Sequence, residues 1–173
     1  ERLAPEDLEQ AIALMLGARK VYLTAVRSTY ALAYYFHYVG RMALPSLELI
    51  PRHMNSAIDD LSDADEQDVL MALTFTPYSR EVIEACKFAA RRGTKIVLIS
   101  DFDVISSEFE PEVALIASVI STHHFGAYTG AMAVLEVLLA GLVRRGGPAA
   151  SARIERYETL RQQINAYWVR KKT

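Results

Sequence analysis

Six side chains fall into two clusters whose chemistry suits a small anion. Thr74, Thr76 and Ser79 stand in the turn Thr74-Phe75-Thr76-Pro77-Tyr78-Ser79, and Arg27, Ser28 and Thr29 in the turn that follows the apolar run KVYLTAV. Hydroxyls donate hydrogen bonds to phosphate or carboxylate oxygens, and a guanidinium takes a phosphate in bidentate fashion. Each cluster precedes a segment of helical pattern. The first N–H groups of a helix lack intrahelical partners and carry partial positive charge, so both turns are suited to hold an anion.

The elements that must position these turns are legible in the hydrophobic pattern. Val69 to Phe75 is continuously apolar apart from Thr74, the mark of a strand buried on both faces. Val82, Ile83, Cys86, Ala89 and Ala90 then form one helical stripe, and Gly93 stands where a left-handed C-cap belongs, after Arg91 and Arg92. Lys95 to Ser100 is a further buried strand, so residues 68–101 form one βαβ unit. The same logic gives a helix around Leu8–Leu16, a strand at Lys20–Val26, and an aromatic helix from about Arg27 to Gly40 carrying Tyr30, Tyr34, Tyr35, Phe36, His37 and Tyr38. A strand at Ser46–Ile50 follows, then a helix from near His53 with Met54, Ile58 and Leu61. Past Asp101, a polar connection with room for a turn or two of helix leads to a strand at Val113–Ile120 and a long apolar helix from Phe125 to Val143. Arg145-Gly146-Gly147-Pro148 breaks the pattern before a last helix, 149–169, with Ile154, Tyr157, Leu160, Ile164, Tyr167 and Trp168 on one stripe.

This alternation predicts an α/β fold: a three-layer α/β/α sandwich around a five-stranded parallel sheet, plus a C-terminal helix, in a single domain over 1–173 with its core at about 18–145. Half of the 173 residues are hydrophobic and the net charge is −2, which argues against disorder and against a global grip on nucleic acid. The one cysteine, Cys86, excludes an intrachain disulfide and a cysteine-rich zinc site; it fits core space and a reducing cytoplasm. Glu136 and the small residues within Phe125–Val143 favour a buried helix over a membrane span.

Other titratable groups are better explained by structure than by chemistry. The acidic run Asp59, Asp60, Asp63, Asp65, Glu66 and Asp68 lacks the ordered spacing and glycine of a calcium loop and suits a solvated helix end and turn. His123 and His124 are adjacent and so point apart, a poor metal pair. Asp101 and Asp103 follow a strand and suit turn capping, and His37 suits helix packing. No metal and no cofactor is expected.

The turn at Thr74-x-Thr76-Pro77-x-Ser79, followed by Glu81, resembles the second signature of the sugar-isomerase (SIS) domain, a Ser/Thr-x-Ser-Gly-x-Ser/Thr loop that holds phosphosugars. Pro77 replaces the glycine. With Pro-Tyr-Ser-Arg in this position the segment resembles the ligand domains of RpiR-type bacterial transcription regulators more than the isomerases. The turn at Ala25, Arg27 and Thr29 resembles the first SIS signature, Gly-x-Gly-x-Ser, with both glycines replaced; a frame shifted by one makes Ser28 the equivalent hydroxyl, and both frames stay open. The resemblance implies a flavodoxin-like sheet of strand order 2-1-3-4-5 and a binding site for a phosphosugar or related small anion at Arg27, Ser28, Thr29, Thr74, Thr76 and Ser79. It also implies a homodimer or dimer of dimers. In that family the domain follows an N-terminal helix-turn-helix domain, which is absent from this sequence, so DNA would be reached only through that missing part.

The function expected is therefore ligand sensing and dimerisation in a transcriptional regulator, without catalysis. An aldose–ketose phosphosugar isomerase is the enzymatic alternative, with Glu81 or Glu136 as base and His124 as acid. A dimerisation module that has lost its ligand is the other. A phosphoacceptor domain would want an aspartate where Thr74-Phe75-Thr76 stands, and a flavin site is not excluded by the sequence.

Overall fold

A computed structural model of the chain describes residues 3–168. In chain order the elements are α1 (Pro5–Gly17), β1 (Val21–Thr24), α2 (Thr29–Gly40), β2 (Leu47–Ile50), α3 (Ala57–Asp60), β3 (Val69–Leu73), α4 (Arg80–Arg91), β4 (Lys95–Ser100), β5 (Val113–Ile116), α5 (Thr129–Arg145) and α6 (Gly147–Gln163). The five strands are parallel and ordered β2-β1-β3-β4-β5, as the resemblance implied.

Because successive strand residues point to opposite faces, each buried strand serves two cores. Val21, Leu23, Val69, Met71, Leu73, Val97 and Ile99 face α1, α2 and α5, packing on Phe36, Leu135 and Leu138. Tyr22, Leu70, Ala72, Ile96 and Leu98 face α3 and α4, packing on Leu61, Val82, Ala85 and Cys86. This double burial is why the strands appear as unbroken apolar runs rather than alternating ones. Gly93 adopts φ +75° and closes α4 as a left-handed cap. Cys86 is fully buried, and burial pushes its thiol up to about 12, which leaves it inert.

Several expected elements differ in extent. The connection between β4 and β5 carries no helix. Helix α3 begins at Ala57 rather than near His53: Ser56 and Asp59 form a reciprocal capping box, and Met54 sits upstream in a left-handed turn, 90% exposed. Strand β5 stops at Ile116, and α5 begins at Thr129 instead of Phe125, so residues 117–128 form a loop. Helix α6 ends at Gln163, leaving Tyr167 and Trp168 beyond it and exposed; Val169 lies outside the described residues. Its apolar stripe is largely uncovered, with Ala150 its one buried residue among those described.

The acidic run is also less solvated than its composition predicts. The Asp68 side chain is fully buried and accepts from Arg19 Nε and NH2 at 3.0 and 2.6 Å and from the Lys20 and Asp65 N–H groups, both at 3.1 Å. Asp60, likewise buried, accepts from the Arg52 N–H, the Arg52 guanidinium and Asn55. Both carboxylates organise loops. Among the described residues no three metal-ligating side chains converge.

Candidate functional site

In a parallel sheet the loops leaving the C-terminal ends of the strands gather on one edge, and ligands bind there. Three such loops meet in this chain: β1 to α2, β3 to α4, and β5 to α5. They line a cavity of about 430 Å³ that brings Arg27, Ser28, Thr29, Thr74, Thr76 and Ser79 together with His124, Phe125, Gly126 and Tyr128. The two sequence clusters, about fifty residues apart, therefore line one concavity.

The six residues divide into two kinds. Thr29 and Thr74 are buried and their hydroxyls are engaged within the fold: Thr29 Oγ1 donates to the Val26 carbonyl at 2.7 Å, and Thr74 Oγ1 accepts the Ser79 N–H at 3.2 Å. They shape the two turns. Arg27, Ser28 and Thr76 are exposed and Ser79 is half-buried. Ser79 makes no side-chain cap to α4, so its hydroxyl is available at the helix N-terminus. Arg27 has no carboxylate partner among the described residues. Of the two frames, the shifted one supplies the exposed hydroxyl, Ser28, whereas Arg27 adopts the left-handed conformation, φ 57°, that a glycine takes without strain.

Backbone donors are scarce in the second wall. The Thr76 N–H donates to the Asp101 carboxylate at 3.2 Å, Pro77 has no N–H, and the Ser79 N–H is held by Thr74. Asp101 thus caps the loop, as its place after β4 suggested. Burial pushes the Tyr78 phenol up, and Asp101 adds to that shift; Tyr78 lies outside the cavity lining.

The third wall was hidden in the sequence. Tyr128 packs on Phe75, with ring centroids 5.5 Å apart, and its hydroxyl lies 3.0 Å from Ser28 Oγ. Phe125 to Tyr128 continue the apolar run of α5, and only Gly126 and the general position of a loop after a parallel strand mark them as separate. The three residues considered for acid–base chemistry are not brought together. His124 lines the cavity, but Glu81 lines a neighbouring one beside Asn55 and Ser56, and Glu136 accepts the Tyr35 hydroxyl at 2.5 Å on the flank of α2 and α5. No carboxylate lines the cavity among the described residues. The arrangement offers one guanidinium, the hydroxyls of Thr76 and Ser79, the Ser28–Tyr128 hydroxyl pair, a histidine and an aromatic wall. Such a set binds a polar anion and lacks a carboxylate base for proton abstraction.

Comparison with known proteins gives the same architecture. The model of the SIS domain matches residues 14–143. None of the curated proteins compared by sequence matches the chain. Among solved structures, the sugar isomerase domain of an RpiR transcription factor from Sphaerobacter thermophilus superposes with a TM-score of 0.83 at 20% identity, covering 91% of this chain and 88% of that one. The Vibrio vulnificus NanR protein complexed with ManNAc-6P gives a TM-score of 0.80 at 16% identity, covering 94% of this chain; the match spans 62% of NanR. Phosphoheptose isomerase GmhA from Neisseria gonorrhoeae gives 0.59 at 17% identity, covering 80% and 84% of the two chains. At these identities the superpositions establish the fold.

Proposed function

The chain belongs to the SIS domain family, and we propose that within it the chain is the ligand-sensing domain of an RpiR-type transcriptional regulator, binding a phosphosugar or related small anion. The observation that carries this reading is the cavity at the C-terminal ends of β1, β3 and β5, where Arg27 has no carboxylate partner among the described residues and Ser28, Thr76 and Ser79 contribute hydroxyls to the lining. Arg27 takes the charged group, and the hydroxyls and Tyr128 hold its oxygens or the sugar. Among the described residues no carboxylate lines the cavity to serve as base, which supports sensing over isomerisation. The likeness to a regulator domain and to a regulator complexed with ManNAc-6P supports the same direction. In this reading the protein acts in the cytoplasm as a homodimer, and DNA is reached through an N-terminal helix-turn-helix domain rather than through residues 3–168. Ligand binding alters regulation only insofar as it has different affinity for two arrangements of the dimer.

One observation favours a second reading, a dimerisation module without ligand. The backbone donors that the second loop would offer an anion are engaged by Asp101 and Thr74 or removed by Pro77. A thermal-shift screen of sugar phosphates, amino-sugar phosphates and sugar acids separates the two, because a ligand that binds only the folded state raises Tm with concentration. The sensor reading expects at least one concentration-dependent hit that is lost in Arg27→Ala, and no turnover of that compound. A silent panel with a stable dimer sinks it in favour of the module, and turnover of the hit would make the chain an isomerase.

A further inference from the structure

A cavity of about 900 Å³ lies at the other end of the sheet from the proposed phosphosugar site. It opens between the C-terminal half of α2, the turn into β2, and α6. Leu47, the first residue of β2, is buried at its base, and Met42, Pro45 and Leu160 continue an apolar lining. Three arginines, Arg41, Arg153 and Arg156, line it together with His37 and Tyr157, and no carboxylate does.

None of these arginines forms an ion pair among the described residues. The one acidic neighbour on α6 that forms an ion pair, Glu158, is held by Arg161 at 2.6 Å. Arg41 donates to the Tyr157 hydroxyl at 3.1 Å, which ties its guanidinium to α6. Arg153 donates to the Met42 and Ala43 carbonyls at 3.3 and 2.5 Å, so it fastens α6 to the end of α2 and meets two carbonyls that would otherwise repel an anion. A guanidinium has five N–H donors; Arg41 and Arg153 retain several, and Arg156 forms no hydrogen bond among the described residues. Burial, and then Arg41, push the His37 imidazole down, so the positive charge of the lining resides in the arginines.

An apolar base under a cluster of unpaired guanidinium groups, in a volume suited to a small molecule, specifies its ligand by charge complementarity. We propose that this cavity is a second binding site, for a small organic carboxylate with an apolar body: the body rests on Leu47, Pro45 and Leu160, and the carboxylate is taken by Arg156 and Arg41. Helix α2 then joins the two sites, because Ser28 at its N-terminal end lines one and Arg41 just past its C-terminal end lines the other.

The test titrates the whole chain with 4-phenylbutyrate and, separately, with the uncharged 4-phenylbutanol, following the His37 ring and arginine Nε–H resonances by NMR. Saturable shifts at His37, Arg41 and Arg153 with the acid, and none with the alcohol, are expected. Arg156 forms no hydrogen bond or ion pair among the described residues, so Arg156→Gln should leave Tm unchanged and weaken binding of the acid about tenfold; Arg41→Gln should weaken it by a similar factor. Equal binding of the alcohol, unchanged affinity in both variants, or shifts confined to residues 27–29 and 76–79 would each overturn the proposal. So would shifts at His37 and Arg41 that follow protein concentration and ignore the acid, which would mean that a second copy fills the cavity.

Discussion

The hydroxyls of Ser28 and Tyr128 lie 3.0 Å apart across 100 positions of sequence, joining the loop after β1 to the loop before α5. Both belong to the cavity lining, and Tyr128 is half-buried against Phe75, so its hydroxyl is held in place rather than swinging. Tyr128→Phe keeps the ring packing and removes that hydroxyl alone. It should weaken phosphosugar binding by about 1 kcal/mol, roughly fivefold, with little change in Tm. Calorimetric titration of the best thermal-shift hit reads the affinity, and an unchanged value would remove Tyr128 from the site.

Arg27 holds two opposed roles, and substitution can separate them. Its guanidinium is the cation of the cavity, while its backbone sits at φ 57°, a conformation costing a non-glycine residue about 1 kcal/mol or more. Arg27→Gly and Arg27→Ala both lose the guanidinium and should lose ligand affinity to a similar extent. The glycine variant should nonetheless be the more stable by about 1 kcal/mol, since only alanine keeps the strained conformation. Denaturant unfolding of the pair measures the difference, and equal midpoints would mean that the loop relaxes.

The division of hydroxyls gives a third prediction. Thr76→Ala and Ser79→Ala should each weaken binding by about 1–2 kcal/mol and leave stability nearly intact, because Thr76 is exposed and the Ser79 hydroxyl caps no N–H of α4. Thr74→Ala removes the acceptor of the Ser79 N–H in a buried turn, so it should cost about 1–2 kcal/mol of stability. Thr29→Ala behaves similarly, leaving the Val26 carbonyl without its 2.7 Å donor. Unfolding midpoints and affinities measured on the same four variants check the split. A pattern reversed between the pairs would refute the assignment of roles.

These roles mark how far the sequence was legible. Strands such as Val69–Leu73 and Lys95–Ser100 were plain because burial on both faces demands an unbroken apolar run, and Gly93 announced the end of α4. Two walls of the cavity followed from hydroxyls placed before helices. The third wall did not, because Phe125 and Tyr128 are as apolar as the helix they precede, and periodicity cannot separate a loop that lines a pocket from a first helical turn. The start of α3 was readable in Ser56-x-x-Asp59, a capping signal that the spacing of Met54, Ile58 and Leu61 obscured. Which hydroxyl of a turn is free cannot be read at all, since Thr74 and Thr76 differ only in what folds against them. The apolar stripe of α6 identified a face without telling whether this chain covers it.

The Arg19–Asp68 pair makes the last prediction, one of acid stability. Burial pushes the Asp68 carboxyl up, but the Arg19 guanidinium and the Asp65 and Lys20 N–H groups outweigh it and hold the pKa below the usual 3.8. Asp60 behaves alike: burial raises it, and the Arg52 N–H, Asn55 and the Arg52 guanidinium bring it below that value. A carboxyl depressed in the folded state binds fewer protons than in the unfolded chain. Its stabilisation is therefore complete above the unfolded pKa and lost as pH falls through the folded one. The native chain should hold its stability from neutrality to about pH 4 and lose it steeply below. Asp68→Asn removes the charge while Arg19 remains half-exposed to water, so its cost at pH 7 should lie near the low end for a broken buried pair, about 3 kcal/mol. The gap between native and variant should close as pH drops below the range where Asp68 ionises. Urea unfolding at pH 7 and pH 3 reads both quantities, and a gap that stays constant with pH would show that packing, rather than the ion pair, makes Asp68 matter.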